Sequence, residues 1–515
     1  MSAQTNNKTI AKNTLFLYFR MMITMVISLF TSRVILQALG VNDYGIYHVV
    51  GGLVGLLSFV NNALATGSSR FLTYELGTGD FKKLEKTFST VLSVHILLCI
   101  AIVLVAETIG LWFVYNKLII APERMDAAVY AYHLSVLAAV FTITQVPYRA
   151  SIISHEKMSI YAYTSIVEVV LKLVIVYMIY VSPYDKLETY ATLFFIVHVS
   201  MTIYYRLYCI KNFKETHYKP VIDKPIIKEV LGYSGWNLFA NTAIALNNQG
   251  ATILINMFFS PGVVAARAIA NQVNMSAFHF ITNFRTASNP QIVKRYAAGD
   301  YEASKELLLN STKFSYYLML ILALPITLVA EPLLHLWLGI VPEYAVAFLQ
   351  LTVITSLFQV FDSSFYTALY AKGRIRENAM ISPTILFLTF PIVYVFFRLG
   401  YSPLVLAWIL LIAYAMLGLV VKPLLIIKIV GYTWKDVLSV FVPCLKITML
   451  AVPIPLMTYF FVNSNILESK LLAFFIIVLV SIISVSIVIW ICGINQQLRK
   501  KIISLVAKKI KYGVI

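Results

Sequence analysis

"ELGTGDFKKLEK", residues 75–86, and "RYAAGDYEASKE", residues 295–306, write one turn twice at an offset of 220 residues. Each copy sets Gly, Asp and an aromatic ring before a charged helix start. Working outward, residues 35–81 lie over residues 255–301 without a gap, sharing helix, turn, helix and polar loop. Past a four-residue insertion the likeness continues from "VAETIGLW" (105–112) to "VAEPLLHLW" (329–337). The chain is therefore read as a duplication.

Composition says what is duplicated. Of 515 residues, 60% are hydrophobic and 12% charged, with mean hydropathy +0.81, far too little polar surface for a protein in water. Windows long enough to cross a bilayer fall near 13–37, 44–66, 87–112, 127–149, 158–181, 188–210, 233–259, 261–285, 312–335, 344–371, 378–398, 403–428, 437–462 and 470–493. With both termini inside, 31 of the 41 Lys and Arg are counted with cytoplasmic segments, among them Lys422, which falls within the inner end of window 403–428. The polar start "MSAQTNNKTIAK" lacks a small-residue cleavage site, so no removable signal peptide is expected. Cys99, Cys209, Cys444 and Cys492 stand singly in apolar runs and read as inert thiols.

The expected fold is an all-α integral membrane protein with 14 transmembrane helices, N-in/C-in: two six-helix lobes as a parallel internal repeat plus two C-terminal helices. Six spans per copy make both copies enter the membrane in the same direction, a pattern found in transporters whose halves rock about a shared site. The division is 1–210 for the first lobe, 211–230 for a basic, Pro-punctuated cytoplasmic linker, 231–430 for the second lobe, 431–495 for spans 13 and 14, and 496–515 for a basic tail. The net charge of +18 follows from topology and attraction to anionic membrane lipids, not from nucleic-acid binding.

Polar residues inside spans are the site candidates, because lipid does not tolerate them. In span 8, Arg267, Asn271, Asn274, Thr282 and Arg285 share one face at helical spacing; Asn237, Asn241 and Asn248 do so in span 7. Arg20 and Thr24 mark span 1, and Asn62 belongs to a stripe in span 2. These groups read either as the wall of a polar chamber or as hydrogen-bonding glue between helices, with Arg20 and Arg267 also able to snorkel to an interface. Glu168 and Lys172 stand one turn apart in span 5, read as a structural ion pair or, alternatively, as a switch in which Lys172 meets a phosphate and Glu168 a coupling ion. Asp362 is the other deep carboxylate, a second candidate for ion coupling. No GxxxxGK[ST] or HExxH occurs, so neither an ATP-binding loop nor a zinc site is built in, and no cofactor or metal is expected.

With six plus six plus two helices, the turn "LGVNDYGIY" (39–47) and the loop "NPQIVKRYAAGD" (289–300), the chain resembles the oligosaccharide flippases of the multidrug/oligosaccharidyl-lipid/polysaccharide exporter superfamily. The likeness is to the O-antigen and capsule repeat-unit translocases. That resemblance implies a membrane transporter, not an enzyme, of the bacterial inner membrane, moving undecaprenyl-pyrophosphate-linked glycan through a cationic cavity. It admits a polysaccharide polymerase complex as a partner. The substrate-binding candidates are then Arg20, Thr24, Asn62, Asn237, Asn241, Asn248, Arg267, Asn271, Asn274, Arg285 and Lys172, since guanidinium forks suit pyrophosphate and amides suit sugar hydroxyls. Two other readings stand beside it: a cation-coupled multidrug exporter of the same superfamily, and a non-transporting assembly partner of a polysaccharide synthase.

Overall fold

A computed structural model describes residues 2–57, 68, 71–76, 78–155, 157–221, 223–228, 242, 245–374, 376–462, 469–494 and 499–500. Among these, every regular element is helical. The longer helices are α1 (Ser2–Leu57), α2 (Phe81–Val105), α3 (Leu111–Lys117), α4 (Met125–Ser154), α5 (Met158–Val181) and α6 (Lys186–Asn212). They continue as α7 (Ala251–Phe258), α8 (Pro261–Ala297), α9 (Tyr301–Leu328), α10 (Ala330–Leu338), α11 (Ala345–Ala371) and α12 (Arg376–Arg398). The C-terminal part adds α13 (Val405–Met416), α14 (Lys422–Leu425), α15 (Trp434–Ala451), α16 (Pro453–Phe461) and α17 (Lys470–Val488). Ten stretches of the described residues are long and apolar enough to cross a membrane. The count of fourteen and the direction of the termini remain proposals.

The duplicated turn is physical. Gly79 (φ 76°) and Gly299 (φ 80°) both take the left-handed backbone, and the carboxylates of Asp80 and Asp300 cap α2 and α9 by accepting from the amides of Lys83 (3.0 Å) and Ala303 (3.2 Å). The first two expected spans run together as α1, whose one non-helical residue, Gly40 (φ 77°, ψ 171°), sits at the expected turn.

Two compact units emerge, built from non-contiguous segments. The first comprises Met1–Ile269, Ile340–Ala345 and Ala379–Leu406; the second comprises Ala270–Gly339, Val346–Asn378 and Ala407–Ile515. The contiguous six-helix lobes are a different partition and stay a proposal.

In the first unit, α4 packs on the π-helical turn Ala106–Gly110 that follows α2: the fully buried Tyr132 hydroxyl donates to Ala106 O at 2.8 Å, sharing that acceptor with the Leu111 amide. A buried phenol without such an acceptor would cost a desolvation penalty of about 1–3 kcal/mol. At one end of this unit Arg124 donates to both oxygens of Asp43 and both oxygens of Asp185, at 2.6–3.1 Å, joining the α1 bend to the start of α6. The linker is also held by this unit. Phe213 stacks on His155 at 4.1 Å, His155 Nε2 meets the buried Glu215 at 2.6 Å, and Lys219 and Asp223 pair with Glu85 and Lys86 of α2.

The second unit is centred on α9, α11, α15 and α17. Phe361 stacks on Tyr316 at 5.1 Å and meets Phe441 edge-on at 5.0 Å, while the Tyr316 hydroxyl bonds Thr448 at 2.8 Å. A second π turn, Leu417–Val421, follows α13. Within it Gly418 lies against the Phe358 carbonyl of α11, at 2.5 Å from where a β-carbon would stand. No residue other than glycine fits that approach without movement.

Candidate functional site

Charged side chains in a membrane interior must find partners, so their bonds show what the fold has done with them. In the first unit, Lys172 Nζ lies 2.7 Å from Glu168 Oε1, one turn away on α5. The ammonium also sits 5.1 Å from the ring centre of Phe194 on α6, and Phe194 packs edge-on against His198 at 4.7 Å. Phe194 and His198 line a cavity of about 300 Å³ between α1, α4 and α6, with Tyr47, Ser135, Thr142 and a floor of small residues that includes Gly51 and Gly55. Its wall is mainly apolar, as ligand cavities usually are.

Arg267, near the start of α8, is buried in the first unit and donates to Asn248 O (3.1 Å) and Thr252 Oγ1 (2.8 Å). Asn248 lies in a π turn, Leu246–Gly250, and its own side chain is exposed. Beside this group α1 comes in close through glycines. Gly52 and Gly55 sit under the Gln249 amide, Gly45 presses on the Pro261 backbone, and Gly262 lies against Val41. Val41 and Pro261 are repeat-equivalent, so this seam joins the two copies of one turn.

In the second unit the remaining stripe of α8 is satisfied by α11. Asn274 accepts from Ser356 at 2.8 Å, and the buried Arg285 donates to the Ser363 carbonyl and to Thr367 Oγ1 at 3.0 Å. Next to them Asp362 meets Lys422 Nζ at 3.1 Å; Lys422 also donates to Asn378 Oδ1 and lies 5.4 Å from the Tyr366 ring centre. Only 2% of Lys422 is exposed, which makes it one of the most deeply buried charges described.

The charge count grouped Lys422 with the cytoplasmic residues although it lies within the expected span 403–428; the structure buries it there. The segment Val405–Val430 is one 26-residue span with Lys422 inside, and π turns on either side, 417–421 and 426–430, carry it inward. The legible signal was the apolar sequence on both sides, "LGLVVKPLLII".

Other candidates fall as follows. Thr24 and Asn271 are half-buried, in the first and second units respectively. Arg20 lies on α1 where only the backbone is described, and Asn62, Asn237 and Asn241 lie outside the described residues. Among those described, Arg267, Asn274 and Arg285 bond neighbouring helices, the glue arrangement, and no group of three His, Cys, Asp or Glu could hold a metal.

Comparison with known proteins fits this geometry. Residues 238–395 match the MatE family model. In fold the chain is similar to the lipid II flippase MurJ in its inward closed conformation, with TM-score 0.69 and 13% identity over 93% of this chain and 97% of that one. It is also similar to an inward-facing multidrug resistance MATE family transporter of the MOP superfamily, with TM-score 0.66 and 14% identity over 81% of this chain and 98% of that one. A MOP superfamily transporter from Pyrococcus furiosus gives TM-score 0.57 and 14% identity, covering 82% and 96%. No curated protein matches the chain. In fold the chain is similar to MOP-superfamily transporters and flippases, and ten stretches of its described residues are long and apolar enough to cross a membrane.

Proposed function

We propose that the chain is a flippase that moves undecaprenyl-pyrophosphate-linked oligosaccharide repeat units across the bacterial inner membrane by alternating access, for O-antigen or other polysaccharide synthesis. The observation that carries this reading is the extent of the likeness: the lipid II flippase fold covers 93% of the chain, whereas the multidrug transporter fold covers 81%. The charge inventory supports it. Arg267 and Arg285 are buried cations bonded to hydroxyl and carbonyl oxygens, a composition suited to a diphosphate and a glycan. The candidates Arg20, Thr24, Asn62, Asn237, Asn241, Asn248, Asn271, Asn274 and Lys172 complete the proposed substrate path, and anionic lipids and a polysaccharide polymerase complex are its proposed partners. Glu168 is the proposed ion-coupling carboxylate; Asp362, the second candidate, is already paired with Lys422.

The MatE match over 238–395 favours a second reading, a cation-coupled multidrug exporter. Proteoliposomes holding a radiolabelled lipid-linked oligosaccharide separate the two. A flippase equilibrates the label between leaflets without drug present; an exporter leaves it in place and moves a cationic dye. Arg267→Ala is expected to slow flipping by about 10- to 100-fold, the size of one charge-assisted hydrogen bond, while Arg267→Lys retains part of the rate. Full activity in Arg267→Ala removes that residue from the path.

A further inference from the structure

Asp362 and Lys422 form an ion pair inside the second unit, with Arg285 close by. Two helices bring it together through matching spacings. Gly418 lies against Phe358; one turn later on each helix, Lys422 meets Asp362. The missing β-carbon at 418 therefore sets the separation of the charges four residues on. The π turns before and after Lys422 are features that concentrate at functional positions.

No donor reaches the buried Asp362 Oδ1 in hydrogen-bond geometry, although Lys422 Nζ stands 3.1 Å from it. The ammonium is surrounded by a carboxylate, the Asn378 amide oxygen and the face of Tyr366, groups that would equally hold a bare monovalent cation. Among the described residues, Arg285, held by Ser363 and Thr367, and Tyr414 on α13 also act on Asp362. With Arg285 adjacent, a further cation beside Lys422 would place three positive charges around one carboxylate in low dielectric, which Coulomb repulsion opposes.

We propose that Lys422 is the resident occupant of a monovalent-cation site formed by Asp362, Asn378 and Tyr366, so that this unit supplies its own cation and takes no Na⁺ or K⁺ there. For the transport cycle the consequence rests on the flippase reading: substrate movement draws no alkali ion through this site. The site itself is tested without transport. The purified full-length chain is melted in NaCl, KCl and choline chloride at equal ionic strength, as wild type, Lys422→Ala, Asp362→Asn and the double variant. The wild type is expected to melt at one temperature in all three salts. Lys422→Ala is expected to melt lower in choline and to regain about 2–4 °C, saturably, with Na⁺ or propylammonium. The double variant should show no such gain. A saturable Na⁺ or K⁺ shift in the wild type that Asp362→Asn abolishes overturns the proposal, and this arm decides even where Lys422→Ala fails to fold. A folded Lys422→Ala that ignores every cation overturns it as well.

Discussion

Each unit carries a carboxylate–lysine pair within its helices, and the two are built in opposite ways. Glu168 and Lys172 are neighbours on one helix and about a third exposed, at 32% and 29%. Asp362 and Lys422 come from helices 60 residues apart in sequence, and the lysine side chain is 3% exposed. The first pair can open without moving a helix. The second is fixed by the Gly418–Phe358 approach and by Asn378, so its geometry reports the packing of α11 against α13 and α14. One chemical pairing thus gives a local, adjustable contact in one unit and a tertiary lock in the other.

The largest expected effect comes from opening the lock. Asp362→Ala strands a buried lysine and should cost about 3–5 kcal/mol, read as a lowered melting temperature and reduced yield of folded protein. A loss no greater than that at Glu168 would erase the contrast. Gly418→Ala tests whether geometry, not charge, sets the lock; its β-carbon meets the Phe358 backbone, and overpacking of this kind costs about 1–3 kcal/mol. The same change at Gly51, which has open space around it, should leave melting unchanged.

Glu168→Gln should cost about 1 kcal/mol or less, as for other partly exposed pairs. Because Lys172 keeps its contact with the Phe194 ring, any larger effect should appear in transport and not in stability. The smallest effect belongs to the Arg124 clamp, which lies outside both pairs. Chiefly the hydrogen bond from Arg124 holds the Asp185 carboxyl below the usual carboxylate range. A depressed value means stability that is present above the unfolded pKa of about 3.9 and lost as pH falls through the lower folded value. The melting gap between wild type and Asp185→Asn should therefore be steady above about pH 4 and close below it. A gap that widens in acid would reverse the sign.

What could be read from sequence was local or periodic. The Gly-Asp turns at 79–80 and 299–300, the bend at Gly40 and the Glu168–Lys172 pair each depend on residues within a turn of one another, and all appear as written. Asp362 stood out as a carboxylate in an apolar run, but its partner did not. Charge counting places a lysine near a span end in the adjoining loop, and only the π turns around Lys422 and a glycine contact 60 residues away carry it inside. The stripe on α8 was legible as a stripe; which helices satisfy it was not, because Asn274 and Arg285 find partners 82 residues on. The division into units escaped for the same reason, since Ala379–Leu406 joins the first unit through contacts, not through order in the chain.

The attachment of residues 213–223 to α2 and α4 limits slack in the middle of the chain. Most of what looks in sequence like a free tether is committed to one side, anchored by a ring stack, a buried acid and two surface ion pairs.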